Sequence, residues 1–289
     1  MNLTDLKGKK IHFIGIGGSG MSGLARIAIS HGIKVSGSDA SDSSVLTALR
    51  ALGAEIFISH QGENVKGADL IVFSNAIKSN NPEREAGIEK KIPEITRASA
   101  LALLMSESIS IAVAGTHGKT TTSSMATVAL QSAGVDPSFA IGGVLKSSGS
   151  NAHRGSGKYF VAEADESDGS FLVYKPFSGI ITNLELDHVD HFTSLEILVD
   201  AFKAFVATIQ AGGFLVACGD DNNVKELLAG TRRSDIEIIT YGEGAENDFQ
   251  ISRMHLAEGS SEARITRKGK VLGELRLSIP GKHNLLNAT

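Results

Sequence analysis

Residues 109–122 read Ile-Ser-Ile-Ala-Val-Ala-Gly-Thr-His-Gly-Lys-Thr-Thr-Thr, a short apolar run that stops at a glycine turn carrying one lysine followed by three hydroxyls. The apolar run has the character of a buried strand ending at Ala114. Beyond it, Gly115-Thr116-His117-Gly118 leaves backbone N–H groups open, and a helix starting near Lys119 points the positive end of its dipole at the same spot. This is the make-up of a phosphate cradle. Lys119 supplies a point charge for β- and γ-phosphates, and Thr120 an oxygen for a magnesium ion. The longer form of such loops has a glycine five positions before Gly118, where this chain has Val113, so the match is to a shortened Gly-Thr-x-Gly-Lys-Thr-Thr. An ordinary strand-to-helix turn accounts for Gly115 and Gly118, but not for a lysine and three threonines in a row.

The chain has 289 residues, room for roughly two domains. Its 28 lysines and arginines against 32 acidic residues give a net charge of −4, and the basic residues are spread out. No basic field exists to hold nucleic acid, so small molecules or proteins are the expected partners. The single cysteine, Cys218, excludes an internal disulfide and fits a reducing compartment. No apolar run approaches the ~18 residues of a membrane helix. Glycines and Arg26 interrupt the stretch after Lys7–Lys10 before it could serve as a signal peptide. A cytoplasmic protein with no membrane contact is expected.

Outward from the quoted stretch, the preceding hundred residues alternate apolar runs with helical patterns. Strands are predicted at 11–16, 34–37, 55–58 and 70–73, helices at 21–31, 45–52 and 99–105, with Pro82 near a further helix start. Alternation of this kind means parallel strands with helical crossovers. Gly32 and Gly53 stand where helix ends are expected. The polar Ser106-Glu107-Ser108 suggests a boundary, dividing the chain into domains 1–107 and 108–289. The second domain keeps the α/β rhythm, with strands at 159–164, 179–182, 214–217 and 236–240. It then changes to strands without helices over 249–279, read as antiparallel hairpins turning at Glu258-Gly259 and Lys268-Gly269. Pro280-Gly281-Lys282-His283-Asn284 opens a final helix.

Three further constellations carry chemistry. Gly15-Ile16-Gly17-Gly18-Ser19-Gly20-Met21 follows the first strand and satisfies G-x-G-x-x-G, with Asp39 about twenty residues on. The pattern supports a diphosphate over a helix start without saying which one. Glu163-Ala164-Asp165-Glu166-Ser167-Asp168 crowds four carboxylates behind a strand. Glu163 or Asp165 could give a hard cation an oxygen ligand there; the alternative is a solvated acidic loop. In the third, residues 182–191, His188 and His191 lack the further ligands zinc requires, and a helix-capping Asp187 is the plain alternative. A histidine ligand at this place would let manganese substitute for magnesium.

Taken together, the strings at 11–23, Gly37-Ser-Asp39, 114–122, 163–168, Asp187-His188 and 280–284 resemble the Mur ligases of bacterial cell-wall synthesis, and among them those that add L-alanine to UDP-N-acetylmuramate. The resemblance implies an α/β protein: a Rossmann-like UDP-sugar domain followed by a P-loop ATP-binding domain with an added antiparallel portion. It implies ATP-dependent ligation of L-alanine to the lactyl carboxylate of UDP-N-acetylmuramate through an acyl phosphate. Gly17, Gly18, Ser19, Gly20 and Met21 would receive the UDP-sugar diphosphate, with Asp39, Ser74 and Asn75 nearby. Gly115, Thr116, His117, Gly118, Lys119, Thr120 and Thr121 would hold ATP, and Asn284 and Asn287 would meet its adenine. Thr120 and Glu163 would hold one Mg2+ and His188 a second, making Lys119, Glu163 and His188 the catalytic set. Asn75 replaces a common second serine and Leu186 a common proline. The resemblance also implies a third, closing domain beyond Thr289, without which this chain is expected to be inactive.

Rival readings remain. A ligase recycling cell-wall tripeptide onto the same sugar shares the central motifs, but residues 17–22 and 167–171 favour alanine addition. A nicotinamide dehydrogenase leaves Lys119 and Glu163 without a purpose. A module that binds UDP-sugar and ATP without turnover is the non-enzymatic reading.

Overall fold

The computed structural model describes residues 2–166, 169–187 and 192–289. Two compact units divide the chain, and neither is continuous in sequence: Met1–Ser108 with Asp136–Phe160, and Ile109–Val135 with Val161–Thr289.

The first unit alternates strand and helix: β1 (Lys10–Ile14), α1 (Ser19–Ser30), β2 (Lys34–Asp39), α2 (Ser44–Ala51), β3 (Glu55–Ile58), β4 (Leu70–Phe73), α3 (Pro82–Glu89), β5 (Glu94–Thr96) and α4 (Arg97–Met105). The strands form an all-parallel sheet in the order β3-β2-β1-β4-β5. The centre of β1 is buried at every position from Ile11 to Ile14, as expected of a strand covered on both faces. Local chemistry sets the helix starts: the Ser43 side chain accepts from Leu46 N at α2, and Asn81 accepts from Glu83 N ahead of Pro82 at the first position of α3. From β1 the chain builds outward to β3, then returns to lay β4 on the other side. That reversal makes the carboxyl ends of β1 and β4 a switch point, the place where open α/β sheets bind ligands.

The second unit opens with β6 (Ile109–Ala114) and α5 (Lys119–Ser132). The next stretch belongs to the first unit and folds as an antiparallel hairpin, β7 (Ser138–Leu145) and β8 (Ser150–His153), against α1. Gly23 of α1 makes this approach possible: a Cβ there would lie 2.8 Å from the methyl of Ala152. The strand predictions omit this hairpin because Ser150-Asn151-Ala152-His153 is polar and β7 carries two glycines.

The remaining elements are β9 (Tyr159–Glu163), β10 (Ser178–Ile181), α6 (Leu195–Thr208), β11 (Phe214–Cys218), α7 (Asn222–Gly230), β12 (Glu237–Gly242), β13 (Phe249–Leu256), β14 (Ser261–Arg267), β15 (Lys270–Leu277) and α8 (Lys282–Ala288). In the second unit the strands run β15-β14-β13-β12-β11-β10-β6-β9. β6, β10, β11, β12 and β13 pair in parallel, and β13-β14-β15 are antiparallel. The predicted hairpins are therefore present, and their first strand continues the parallel sheet through Tyr241↔Phe249. Phe171 packs on Phe202 and Phe205 of α6, with ring centres 5.3 and 5.2 Å apart.

Candidate active site

The loop of residues 115–118 joins β6 to α5 by a path that only glycine takes easily. Gly115 has φ +127° and Gly118, capping α5, has φ +86°. A Cβ on Gly115 would fall 2.1 Å from Thr182 Oγ1, and one on Gly118 would fall 2.6 Å from Asn287 Oδ1. Segment 182–185, leaving the parallel neighbour β10, stitches the loop in place. Thr182 Oγ1 and Asn183 Nδ2 donate to His117 O at 2.6 and 2.9 Å, and His117 N donates to Asn183 Oδ1 at 2.9 Å. Thr116 Oγ1 donates to Glu185 O at 3.0 Å and accepts from Glu185 N at 2.9 Å. Preformed in this way, the loop presents the start of a 14-residue helix.

Thr120 and Glu163 meet beside it. Thr120 Oγ1 donates to both Glu163 carboxylate oxygens, at 3.0 and 2.9 Å. A hydroxyl and a carboxylate at a strand end form an all-oxygen donor set, and these residues fit a hard divalent cation whose other ligands come from phosphate and water. Among the described residues no cluster of three or more His, Cys, Asp or Glu gathers as a complete metal cage. His188 lies outside the described residues, as does His191. Asp187 is exposed, and the helix that its capping role would require falls on residues outside the described ones; the later α6 is capped by Ser194, whose side chain accepts from Ile197 N.

Lys119 Nζ donates to Gly115 O at 2.8 Å, Thr116 O at 3.1 Å and Glu166 Oε1 at 3.0 Å. Among the described carboxylates of the acidic run, Glu166 is hydrogen-bonded to the lysine, a partner that the sequence does not single out. Burial lifts the Glu166 carboxyl above the usual carboxylate range, with Lys119 pulling it part of the way back. Asn287 reaches the loop at Gly118, whereas Asn284 Nδ2 donates to Pro280 O at 2.6 Å. His117 is exposed, its ring 3.7 Å from Glu185. Asn287 also borders a cavity of about 230 Å³ lined by α5, β10, β11, β12 and α8 residues including Thr122, Ala126, Ile180 and Tyr241.

In the first unit the turn after β1 leaves Gly18, Ser19 and Gly20 exposed and buries Met21. Asp39, at the end of β2, braces it: Gly17 N donates to Asp39 Oδ2 at 2.8 Å. Gly15 N and Ile16 N both donate to Ser38 O, at 2.9 and 3.0 Å. Below lies a buried polar knot absent from the sequence reading. Glu83, fully buried, accepts from Ser38 Oγ at 2.6 Å and Asn64 Nδ2 at 2.6 Å, with His60 Nδ1 at 3.2 Å and His12 Nε2 at 3.6 Å. Burial alone would raise this carboxyl; the groups around it outweigh burial and hold it low. Ser74 O accepts from Ile77 N at 2.9 Å in the turn that also holds Asn75.

Two family descriptions cover these features: "Mur ligase family, catalytic domain" over residues 10–108 and "Mur ligase middle domain" over residues 113–289. The chain belongs to the Mur ligase family. Among curated Mur ligases, the UDP-N-acetylmuramate--L-alanine ligase of Acidothermus cellulolyticus is 46% identical, over 97% of this chain and 59% of its own. The enzyme of that name from Nitratidesulfovibrio vulgaris is also 46% identical, over 98% of this chain and 61% of its own. The chain thus spans about three fifths of the length of these relatives. A crystal structure of the UDP-N-acetylmuramate:L-alanyl-gamma-D-glutamyl-meso-diaminopimelate ligase from Neisseria meningitides superposes with a TM-score of 0.86 at 30% identity, covering 96% of this chain and 90% of that one. The UDP-N-acetylmuramate-alanine ligase of Thermotoga maritima gives 0.81 at 30% identity, covering 96% and 62%.

Proposed function

We propose that this Mur ligase takes part in ATP-dependent joining of L-alanine to the lactyl carboxylate of UDP-N-acetylmuramate, a cytoplasmic step in making the cell-wall precursor. The observation that carries the reading is the braced loop over α5 with Lys119, Thr120 and Glu163 gathered at its mouth. Identity of 46% to alanine-adding relatives supports alanine as the acceptor.

A carboxylate and an amine do not condense in neutral water, so the carboxylate must first be activated. Its oxygen attacks the γ-phosphorus of ATP, the bond to the β–γ bridging oxygen breaks, and ADP leaves. The neutral amine of alanine then attacks the acyl carbon, and inorganic phosphate departs with the activating oxygen. The first step brings two anions together. Backbone N–H groups at the start of α5 and the Lys119 ammonium offset that repulsion, and each such donor is typically worth ~3–4 kcal/mol in the transition state. Thr120 and Glu163 would hold magnesium, which when bound supplies further charge neutralisation at the phosphates. Asp39 keeps the glycine turn open for the sugar diphosphate by taking up Gly17 N. His188 as a second metal ligand, Asn284 and Asn287 at the adenine, and Ser74 and Asn75 near the diphosphate belong to the same proposal.

The test is phosphate release on mixing ATP, Mg2+, UDP-N-acetylmuramate and L-alanine, run on this chain and on a full-length relative. Release that needs all four components is the expected result for the complete enzyme. Release that needs the cell-wall tripeptide in place of alanine would transfer the assignment to the recycling reaction. Binding of both nucleotides without release in either protein would leave a binding module.

A further inference from the structure

The Lys119 ammonium has no proton to spare. An ammonium donates three hydrogen bonds, and those of Lys119 go to Gly115 O, Thr116 O and Glu166 Oε1. To touch a phosphate, Lys119 must release one of them. Two of the acceptors are neutral carbonyls of the loop that carries the lysine; the third is a carboxylate on the segment after β9. The pair is nearly dry, with side-chain exposures of 12% for Lys119 and 1% for Glu166. Glu166 Oε2 is also buried and has no hydrogen-bond partner among the described residues. A buried carboxylate normally has both oxygens satisfied. Here, among the described residues, one oxygen holds the lysine and the other has no hydrogen-bond partner, so Lys119 is the cation that faces this carboxylate.

We propose that Glu166 is a positioning residue that holds Lys119 folded into its own loop and competes with the nucleotide for it, so that the charge on Glu166 sets the affinity for ATP. The proposal rests on reading residues 115–121 as the ATP phosphate loop. An incoming triphosphate repels the carboxylate and attracts the ammonium; Lys119 then exchanges one anionic acceptor for another while keeping a loop carbonyl. Removing the Glu166 charge takes away both the competitor and the repulsion, and leaves an amide oxygen of the same shape.

The experiment titrates the non-hydrolysable analogue AMP-PNP, with Mg2+, into the wild-type chain, Glu166→Gln and Lys119→Met. Glu166→Gln is expected to bind the analogue about tenfold more tightly, with affinity for UDP-N-acetylmuramate unchanged. A role confined to folding would move both affinities or neither. Unchanged or weaker analogue binding in Glu166→Gln overturns the proposal. If that variant fails to fold, Glu166→Asp decides, because a carboxylate one methylene shorter loosens the pair: tighter binding supports the proposal and unchanged binding overturns it. Failure of the underlying reading has its own signature, in which wild type and Lys119→Met are alike in binding no analogue.

Discussion

Lys119 and Thr120 are neighbours in sequence, yet they face different carboxylates, Glu166 and Glu163, three residues apart at and just past the end of β9. That division of labour leads to two separate outcomes. Lys119→Ala is expected to lower phosphate release in the complete enzyme ~100-fold or more, with UDP-N-acetylmuramate binding intact, because the lysine lies in the other unit from the glycine turn; steady-state kinetics beside a sugar-binding titration checks it. Thr120→Val keeps the volume and removes the hydroxyl. The Mg2+ concentration for half-maximal AMP-PNP binding should then rise about tenfold, read from titrations at several metal concentrations. The lysine and threonine were legible in the sequence because the motif is local. Glu166 was not: the acidic run offers four carboxylates at close spacing, and only the path of the chain after β9 brings Glu166 to the lysine.

At the scale of elements, loop shape depends on two glycines and a neighbouring strand. Gly118→Ala would place a methyl in a left-handed conformation, costing about 1–2 kcal/mol, and would also press it on Asn287. A lower urea midpoint together with weaker AMP-PNP binding is the expected result; unchanged binding would show that the α5 start need not keep this geometry. Parallel strands and their crossover helices were readable from apolar runs, glycine punctuation and Pro82. Hairpin β7-β8 was not, because its strands are polar or glycine-containing and it is stabilised by packing on α1, a contact between residues more than a hundred positions apart. The bracing of the loop by Thr182 and Asn183 was hidden for a related reason. Those residues read as part of a metal-like cluster until β10 is placed beside β6.

For the whole molecule, stability at acid pH is tied to Glu83. Its carboxyl is held below the usual glutamate value of about 4.3, so the folded chain binds its proton less readily than the unfolded one. The stabilisation is complete above that value and is lost as pH falls through the lower, folded-state pKa. Urea unfolding at pH 7 and at pH 3 should show this loss, and Glu83→Gln should reduce the difference between the two. Glu83→Ala, which strips Ser38 and Asn64 of their acceptor, should cost about 3–5 kcal/mol at pH 7. Two glycine turns, each after a parallel strand, were visible from glycine spacing alone, whereas the knot beneath the first turn joins residues from β1, β2 and α3 that no linear pattern connects. The central claim, that a triphosphate lies on the loop at the start of α5, is tested most directly by a crystal structure with AMP-PNP and Mg2+. The account predicts the three phosphates along residues 115–121, the γ-phosphate in contact with Lys119 Nζ, and the metal on Thr120 and Glu163. Nucleotide bound elsewhere, or a loop left empty at saturating analogue, would contradict it.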